Sequence, residues 1–570
     1  MRFVVFLMVW FAVSGSAAAL WAACAPGLSP LGSAVSLALG GMIGIVAAWK
    51  TPRFEPARIP AWNWVMLACF AAMTFRMFGW VMFESGDAVR FLSPNNFGDL
   101  SLHITFIRYF AHGAAFWPDN PIYAGEALRY PFGTDLLNAL LYSCGMDLHR
   151  GLVLVGFLAC AALAVALLRW GGGFALAAFL FNGGVAGFLI FRDREFFDYQ
   201  SDMAWKSIPL AMLATQRGLL YAMPAGLALL ISWRSRLHKS GWVMPVWVEW
   251  ILYASFPLFH YHSFLALSLV LGWWLATRPN ADRLWIARLI GLSLVPATIL
   301  TIYVTGMFGG NNPGIHWKPG WMQGTQNPLV FWFENFGVFL PLALLLVIMA
   351  WRWRKTEETA WAFVAPGFLL FVLTAFVALS RWEWDNTKVM FWAYILLIPS
   401  LWNLVLRPSA LAVRVLACAL LFFSGAVSLI GGLNRSYKGY ELIKRKELHG
   451  VMHATRELSV EETFVGYPTY NHPVLLAGYK MAMGYPGHLW SYGVEYQPKK
   501  RRIDALMIGA EGWREAARAV GARYLFWGRF EKEKYPESLQ PWRVEAKLVA
   551  LGDWGAIYDL EPVLAGADDP

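Results

Sequence analysis

The sequence predicts an α-helical polytopic membrane protein with a soluble α/β domain at its C-terminal end. Three observations predict it. The 570-residue chain is 58% hydrophobic and only 15% charged, against about 25% charged in soluble proteins. Apolar runs of about 17–23 residues recur over the first 430 or so positions, each long enough to cross a hydrocarbon core of about 30 Å. Beyond residue 433 the long apolar runs stop, and acids and bases roughly balance. A transmembrane β-barrel would instead show alternating segments of about ten residues.

The N-terminal segment Met1–Cys24 has one arginine and an apolar run longer than a signal-peptide core, so it reads as an uncleaved first helix. LWAAC, ending at Cys24, makes a poor lipobox because tryptophan stands where an aliphatic residue is needed. The expected crossings are 3–23, 31–49, 61–83, 151–169, 172–191, 219–233, 243–259, 262–277, 284–305, 329–351, 361–379, 389–406 and 410–432, about 13 in all by span length. The loops that then share one side hold Lys50/Arg53/Arg58, Arg234/Arg236/Lys239, Arg278/Arg283, Arg352/Arg354/Lys355 and Arg407. Short basic loops mark the cytoplasmic side. They also account for the formal charge of +10, which removes the nucleic-acid reading. An odd number of crossings from an inside N-terminus leaves the C-terminal region outside. The segment 131–148 is apolar enough to enter the membrane, but a full crossing there breaks the charge pattern. It is expected to be re-entrant, or else one of its neighbours fails to cross.

Two domains follow: a transmembrane domain over 1–433 and an extracytoplasmic soluble α/β domain over 434–570. In the latter, ARYLFWG (522–528) and WGAIYDL (554–560) alternate as strands do, and 509–520 reads as a helix. The outer face collects the longer loops 84–130, 192–218, 306–328 and 381–388. The five cysteines are scattered and none lies beyond Cys418, so neither a disulfide framework nor a zinc site is expected. Tryptophans, 31 in number, suit interfacial belts and stacking against sugar rings.

The richest chemistry lies in loop 84–130, a polar island directly after the third apolar run. It holds Glu84, Asp87 and Asp99. GDLSLHITFIRYF (98–110) has helical spacing, which puts Asp99 and His103 on one face. An aspartate there also serves as a helix N-cap, and Asp87 reads equally as a solvated surface acid. A carboxylate at a membrane surface suits transfer of a sugar to a hydroxyl, which needs a general base for the acceptor proton and cations for a leaving phosphate. Outer-loop cations are available at Arg129 beside Tyr130, at Lys206, at Arg217 after Gln216, at Lys318, at Arg381 and at Lys388. Each alone reads as a residue contacting lipid headgroups. Lys388 stands out because it opens an apolar helix beside Asp385 and Asn386. His260 and His262, in FHYHSF, flank a turn between helices and suit hydrogen bonding to phosphate or sugar. With no third ligand and no DxD motif in the outer loops, no metal site and no cofactor are expected. Asn182–Gly183–Gly184 interrupts an apolar run and reads as close helix packing or as an unwound helix beside a cavity.

Together these pieces resemble the GT-C type of membrane glycosyltransferase. GDLSLH, WPDNPIYAGEALRYPFG (117–133), TQRGLLYAMP (215–224), WDNTK (384–388), NHPVLLAGYKMAMGYPGHLWSYG (471–493) and VGARYLFWG (520–528) carry the resemblance, which covers most of the chain in short motifs. It implies an inverting transferase that moves a sugar from a polyprenyl-phosphate donor to a glycan, lipid or protein acceptor, among membrane lipids. It implies a place in the bacterial cytoplasmic (inner) membrane with the C-terminal domain on the periplasmic side. Asp99 or Asp87 would be the base, Glu84 remaining a third acid of the loop, and His103 would orient the base or the acceptor. Arg217, Lys388 and Arg129 would hold phosphate. Tyr485, His488, Trp490 and Tyr492 would stack on sugar. Two readings compete with it: a transporter or flippase of lipid-linked saccharides, which wants charges near mid-membrane and paired broken helices, and a non-catalytic envelope assembly protein. Acids gathered in outer loops favour the enzyme.

Overall fold

The computed structural model describes residues 1–54, 60–239, 241–306, 315–434 and 438–565. Apolar helices fill the chain as far as Asn434, and a mixed sheet with short helices follows. Seven helices among the described residues are long and apolar enough to cross a membrane, or eight if one bent pair is a single span. They are Arg2–Cys24, Pro30–Lys50, Leu148–Leu180, Asn280–Thr305, Glu358–Phe376, Glu383–Leu406 and Leu411–Leu433. The chain is an integral membrane protein by this measure, but the 13 or so crossings expected from hydropathy are not all present as long helices.

The differences have local causes. Pro328–Phe336 and Phe339–Arg352 meet at 92°, where Gly337 takes a φ of 54°. The expected segments 243–259 and 262–277 are the helices Val246–Phe259 and Tyr261–Thr277, separated at His260 by an extended backbone (φ −159°, ψ 98°). At 1.5 Å per residue these helices reach only about 21 and 26 Å. The expected crossing 172–191 is not one helix. The helix Leu148–Leu180 loses helical geometry at Gly171 and Gly172, then stops before Asn182–Gly183–Gly184. A Cβ on Gly184 would lie 1.8 Å from the Glu334 carbonyl oxygen, and one on Gly183 would meet the Gln200 side chain and the Gly425 backbone. Close backbone packing therefore unwinds the helix there. Segment 131–148 holds the 11-residue helix Gly133–Ser143, about 16 Å long. It is too short to cross and is buried against Arg2–Cys24, Phe97–Ala111 and Pro30–Lys50.

One end of the bundle gathers basic residues. Arg2 Nε donates to the Thr51 carbonyl (2.8 Å), the Arg169 guanidinium lies 4.2 Å over Phe54, and Arg234 lies 4.4 Å over Trp170. The opposite end carries the polar loop and the sheet domain. There Phe83–Ser85 and Ala88–Phe91 form an antiparallel hairpin, and Ala88–Phe91 also pairs antiparallel with Tyr440–Lys444. The start of the polar loop is thus stitched to the segment that follows the last apolar helix. The amphipathic stretch 98–110 folds as the helix Phe97–Ala111, which packs on Gly133–Ser143 and on Pro473–Ala477.

Beyond residue 460 a five-stranded sheet runs in the order Lys480–Met481, Thr463–Val465, Tyr524–Gly528, Gly555–Asp559, Lys547–Gly552. Its first three strands are parallel and the last two antiparallel, so the region is α/β only in part. The alternating stretches 522–528 and 554–560 are strands Tyr524–Gly528 and Gly555–Asp559, both buried throughout. The expected helix 509–520 begins at Trp513.

Candidate active site

Asp99 lies in the first turn of Phe97–Ala111. Asn96 is the residue capping that helix, without a side-chain hydrogen bond to it, so Asp99 is not the N-cap. The carboxyl is partly covered from solvent but deeply set among protein atoms. Burial raises its pKa above the ordinary carboxylate range, while the neighbouring charges of His103 and Lys388 pull it down and Asp385 pushes it up. A desolvated carboxylate of raised basicity suits proton abstraction.

One turn on, His103 Nδ1 lies 3.0 and 2.9 Å from the two carboxylate oxygens of Asp135, and Nε2 lies 3.2 Å from the Thr215 carbonyl oxygen. A carbonyl only accepts, so Nε2 donates; the Asp135 carboxylate accepts from Nδ1. Both ring nitrogens of His103 are thus engaged within the protein, one helical turn from Asp99. Sequence reasoning misses Asp135. A signal exists nonetheless: it is an ionisable residue in the apolar run 131–148, and such residues in membrane segments are functional candidates by default.

The wall beside Asp99 is aromatic. The Tyr130 ring is 6.1 Å from His103 and 5.8 Å from Tyr492. Tyr492 stacks near-parallel on His488 at 6.5 Å, and Tyr485 meets His488 edge-on at 5.2 Å. His488 closes over Gly98, where an added Cβ would lie 2.9 Å from its Nε2. Burial, with the charge of His103, pushes the His488 imidazole down to about 4, so it is neutral at ordinary pH. Trp490 lies under the Arg381 guanidinium at 5.2 Å.

The facing wall comes from the late loop. Lys388, in the first turn of Thr387–Ser400, places Nζ 2.9 Å from Asp385 Oδ1. Asp385 Oδ2 accepts from Ser380 Oγ (3.2 Å) and lies 3.9 Å from His262 Nε2. The rings of His260 and His262 are 5.8 Å apart. Asn386 is a structural residue: its amide donates to the Thr374 and Val377 carbonyls and accepts from Leu379 N–H.

The turn Thr215–Gly218 forms the floor. Thr215 receives His103, and Gly218 packs so closely that a Cβ would lie 2.0 Å from the Phe259 carbonyl oxygen and 3.5 Å from His260 Cβ. Gln216 sits in this turn. Arg217 is buried below it, within electrostatic reach of Asp135, and none of its guanidinium nitrogens has a hydrogen-bond partner among the described residues. Arg129 lies against Gly306.

Two sequence candidates stand elsewhere. Glu84 and Asp87 are exposed on the hairpin: Glu84 pairs with Arg445 at 3.2 Å, and the Asp87 backbone carbonyl receives Arg445 N–H. The site therefore brings together Asp99, His103, Tyr130, His260, His262, Asp385, Lys388, His488 and Tyr492 and adds Asp135. No group of three His, Cys, Asp or Glu side chains among the described residues is arranged to hold a metal ion.

No family model matches the chain, and no curated protein matches it. Among solved structures it is similar to the oligosaccharyltransferase of Archaeoglobus fulgidus tethered to an acceptor peptide containing the NVT sequon. The identity is 12%, over 83% of this chain and 69% of that one, with a TM-score of 0.48. The apo form of the same protein aligns at 11% identity over 83% and 70%, with a TM-score of 0.41.

Proposed function

We propose that the protein is a membrane glycosyltransferase of the GT-C type, moving a sugar from a polyprenyl-phosphate donor to the hydroxyl of a glycan, lipid or protein acceptor. One observation carries the reading. A carboxyl of raised basicity, Asp99, shares a site with a carboxylate-held ammonium, Lys388, where the apolar helices meet the sheet domain. The motifs that resemble GT-C enzymes supply several residues of this site.

In this reading Asp99 accepts the proton of the acceptor hydroxyl. The acceptor oxygen bonds to the anomeric carbon as the bond from that carbon to the phosphate oxygen breaks, and the configuration inverts. Polyprenyl phosphate leaves with the bonding electrons, and its growing negative charge falls beside Lys388. Asp385 keeps the ammonium aimed. Tyr130, Tyr492 and His488 offer a partly apolar wall to the sugar. The basic residues gathered at one end of the bundle support a cytoplasmic orientation for that end, with the site and the sheet domain outside a bacterial cytoplasmic membrane in this reading.

The test is transfer from a radiolabelled polyprenyl-phosphate sugar by purified protein. Asp99→Asn is expected to lower the rate by about 100-fold or more, and Asp87→Asn to leave it near wild type. Wild-type rates for Asp99→Asn in a folded sample would exclude it as the base.

A further inference from the structure

His260 is buried, 4% exposed, in the break between two apolar helices. Its Nδ1 is occupied twice. The Ser263 backbone N–H donates to it at 3.2 Å, and Ser263 Oγ lies 2.8 Å away. Ser263 Oγ in turn accepts the Trp392 indole N–H at 2.7 Å. Accepting from Trp392 leaves the Ser263 hydroxyl its own hydrogen to donate to Nδ1, which already accepts the Ser263 backbone N–H. Two donors converging on Nδ1 leave the ring proton on Nε2.

Trp392 has little freedom to do otherwise. It is fully buried, and its ring fills the space beside Gly226, where an added Cβ would lie 2.3 Å from an indole carbon. Packing thus holds the indole N–H on Ser263, and Ser263 holds the tautomer. The resulting Nε2–H has no hydrogen-bond partner among the described residues. An unmet donor in a buried place costs about 1–3 kcal/mol, so it marks a position where a ligand atom compensates. Its neighbours point to the ligand's charge. The His262 ring is 5.8 Å away, and His262 leads through Asp385 to Lys388. Lys388 lies within electrostatic reach of His260.

We propose that His260 Nε2–H is a fixed hydrogen-bond donor to a phosphate oxygen held beside Lys388, and that Ser263 and Trp392 are positioning residues that set its tautomer. This rests on the glycosyltransferase reading above and names the group that meets the lipid-borne phosphate. The tautomer matters because the alternative ring form would present a lone pair to an anion, and repel it.

The experiment uses the full chain in lipid nanodiscs, with farnesyl phosphate as probe and inorganic phosphate as a second arm. Calorimetric binding of farnesyl phosphate is expected to weaken by about 10-fold or more in His260→Leu. His260→Gln, whose side-chain amide can place an N–H near the Nε2 position, is expected to regain most of that loss. Lys388→Met is the control for the site. If wild type fails to bind farnesyl phosphate, the glycosyltransferase reading falls with the inference. If Lys388→Met weakens binding and His260→Leu does not, the inference alone falls. His260→Gln binding as poorly as His260→Leu would remove the donor role. Inorganic phosphate binding as tightly as farnesyl phosphate would overturn the lipid-borne assignment. Selective ¹⁵N-histidine labelling of wild type tests the tautomer without relying on any variant's folding. His260 is expected as the Nε2–H form, with a mixed population in Ser263→Ala. A wild-type Nδ1–H form would overturn the proposal.

Discussion

His103 meets Asp135 as a fully enclosed pair, Nδ1 2.9 Å from Oδ2, with side-chain exposures of 2% and 1%. The pair joins two helices that do not cross the membrane, Phe97–Ala111 and Gly133–Ser143. Its third contact, Nε2 to the Thr215 carbonyl, ties both to the floor of the site. The position of Asp99 is thereby fixed from below: the residue four before His103 on the same helix is held by a histidine that cannot move without stranding a buried carboxylate. Breaking such a pair from one side costs about 3–5 kcal/mol, whereas replacing both partners by apolar groups costs far less.

A double-mutant cycle tests this. Asp135→Leu and His103→Leu are each expected to lower stability by about 3 kcal/mol. The double variant is expected to lose much less than the sum, leaving a coupling of at least about 2 kcal/mol in thermal or denaturant unfolding. Additive losses would show that the two side chains do not act as a unit.

Asp99 yields a prediction with a definite sign. Burial raises its pKa in the folded protein, so the folded state favours the protonated form. Its contribution to stability is complete below the unfolded carboxylate value and is lost as pH rises through the folded value. Asp99→Asn is therefore expected to be as stable as wild type or more so at neutral pH, and to show less decline in unfolding midpoint as pH rises from about 4 to 8. A marked loss of stability at neutral pH would mean that the ionised carboxylate holds the fold together.

In the proposed role of base, Asp99 would also set the acidic limb of the transfer rate, because the base must be ionised. The charge of Lys388 pulls the Asp99 pKa down. Removing it in Lys388→Met is expected to move that limb to higher pH, in addition to slowing the reaction. The check is a pH profile of residual kcat/KM. An unmoved limb would separate Lys388 from the base.

Much of this site was legible in the sequence, and the reasons are particular. Asp99 and His103 lie on an amphipathic helix with one turn between them, so periodicity places them together. Lys388 and Asp385 are three apart at a helix start, and the ion pair follows from spacing. Asp87 reads as an alternative base and Glu84 as a third acid of the loop, because nothing local says that their hairpin pairs with Tyr440–Lys444, some 350 residues on. Asp135 was hidden in an apolar run whose hydropathy drew attention to crossing rather than to chemistry. The expected number of crossings is not matched by long helices among the described residues, where seven or eight pass by length and composition. The breaks at Gly171–Gly172 and His260 fall between expected crossings, whereas Gly337 divides the expected crossing 329–351.

Gly218 gives a test of the floor. Its absent side chain lets the turn Thr215–Gly218 lie on the Phe259 carbonyl, and a Cβ at 2.0 Å from that backbone oxygen has no flexible neighbour to displace. Gly218→Ala is expected to destabilise by about 1–3 kcal/mol and to weaken farnesyl phosphate binding by moving His260. Normal stability and binding would show that the turn yields freely.

The sheet domain depends on one buried carboxylate. Glu531 Oε1 receives His472 Nε2 at 3.0 Å and Tyr467 N–H at 2.7 Å, and Oε2 receives Gly528 N–H at 2.8 Å. His472 and Glu531 are both inaccessible to solvent. His472 Nδ1 accepts Val474 N–H, so its proton sits on Nε2 and points at the carboxylate. Glu531→Leu strands three donors at once and is expected to cost about 3–5 kcal/mol. The loss should appear locally, because Glu531 joins the end of Tyr524–Gly528 to the loop after Thr463–Val465 and to the helix that packs on Phe97–Ala111. Limited proteolysis is expected to cut this variant between 460 and 560 while the apolar helices stay protected. Transfer activity should fall with it, since His488 and Tyr492 would leave the wall of the site. A variant that resists protease as wild type does would show that the domain holds without its buried carboxylate.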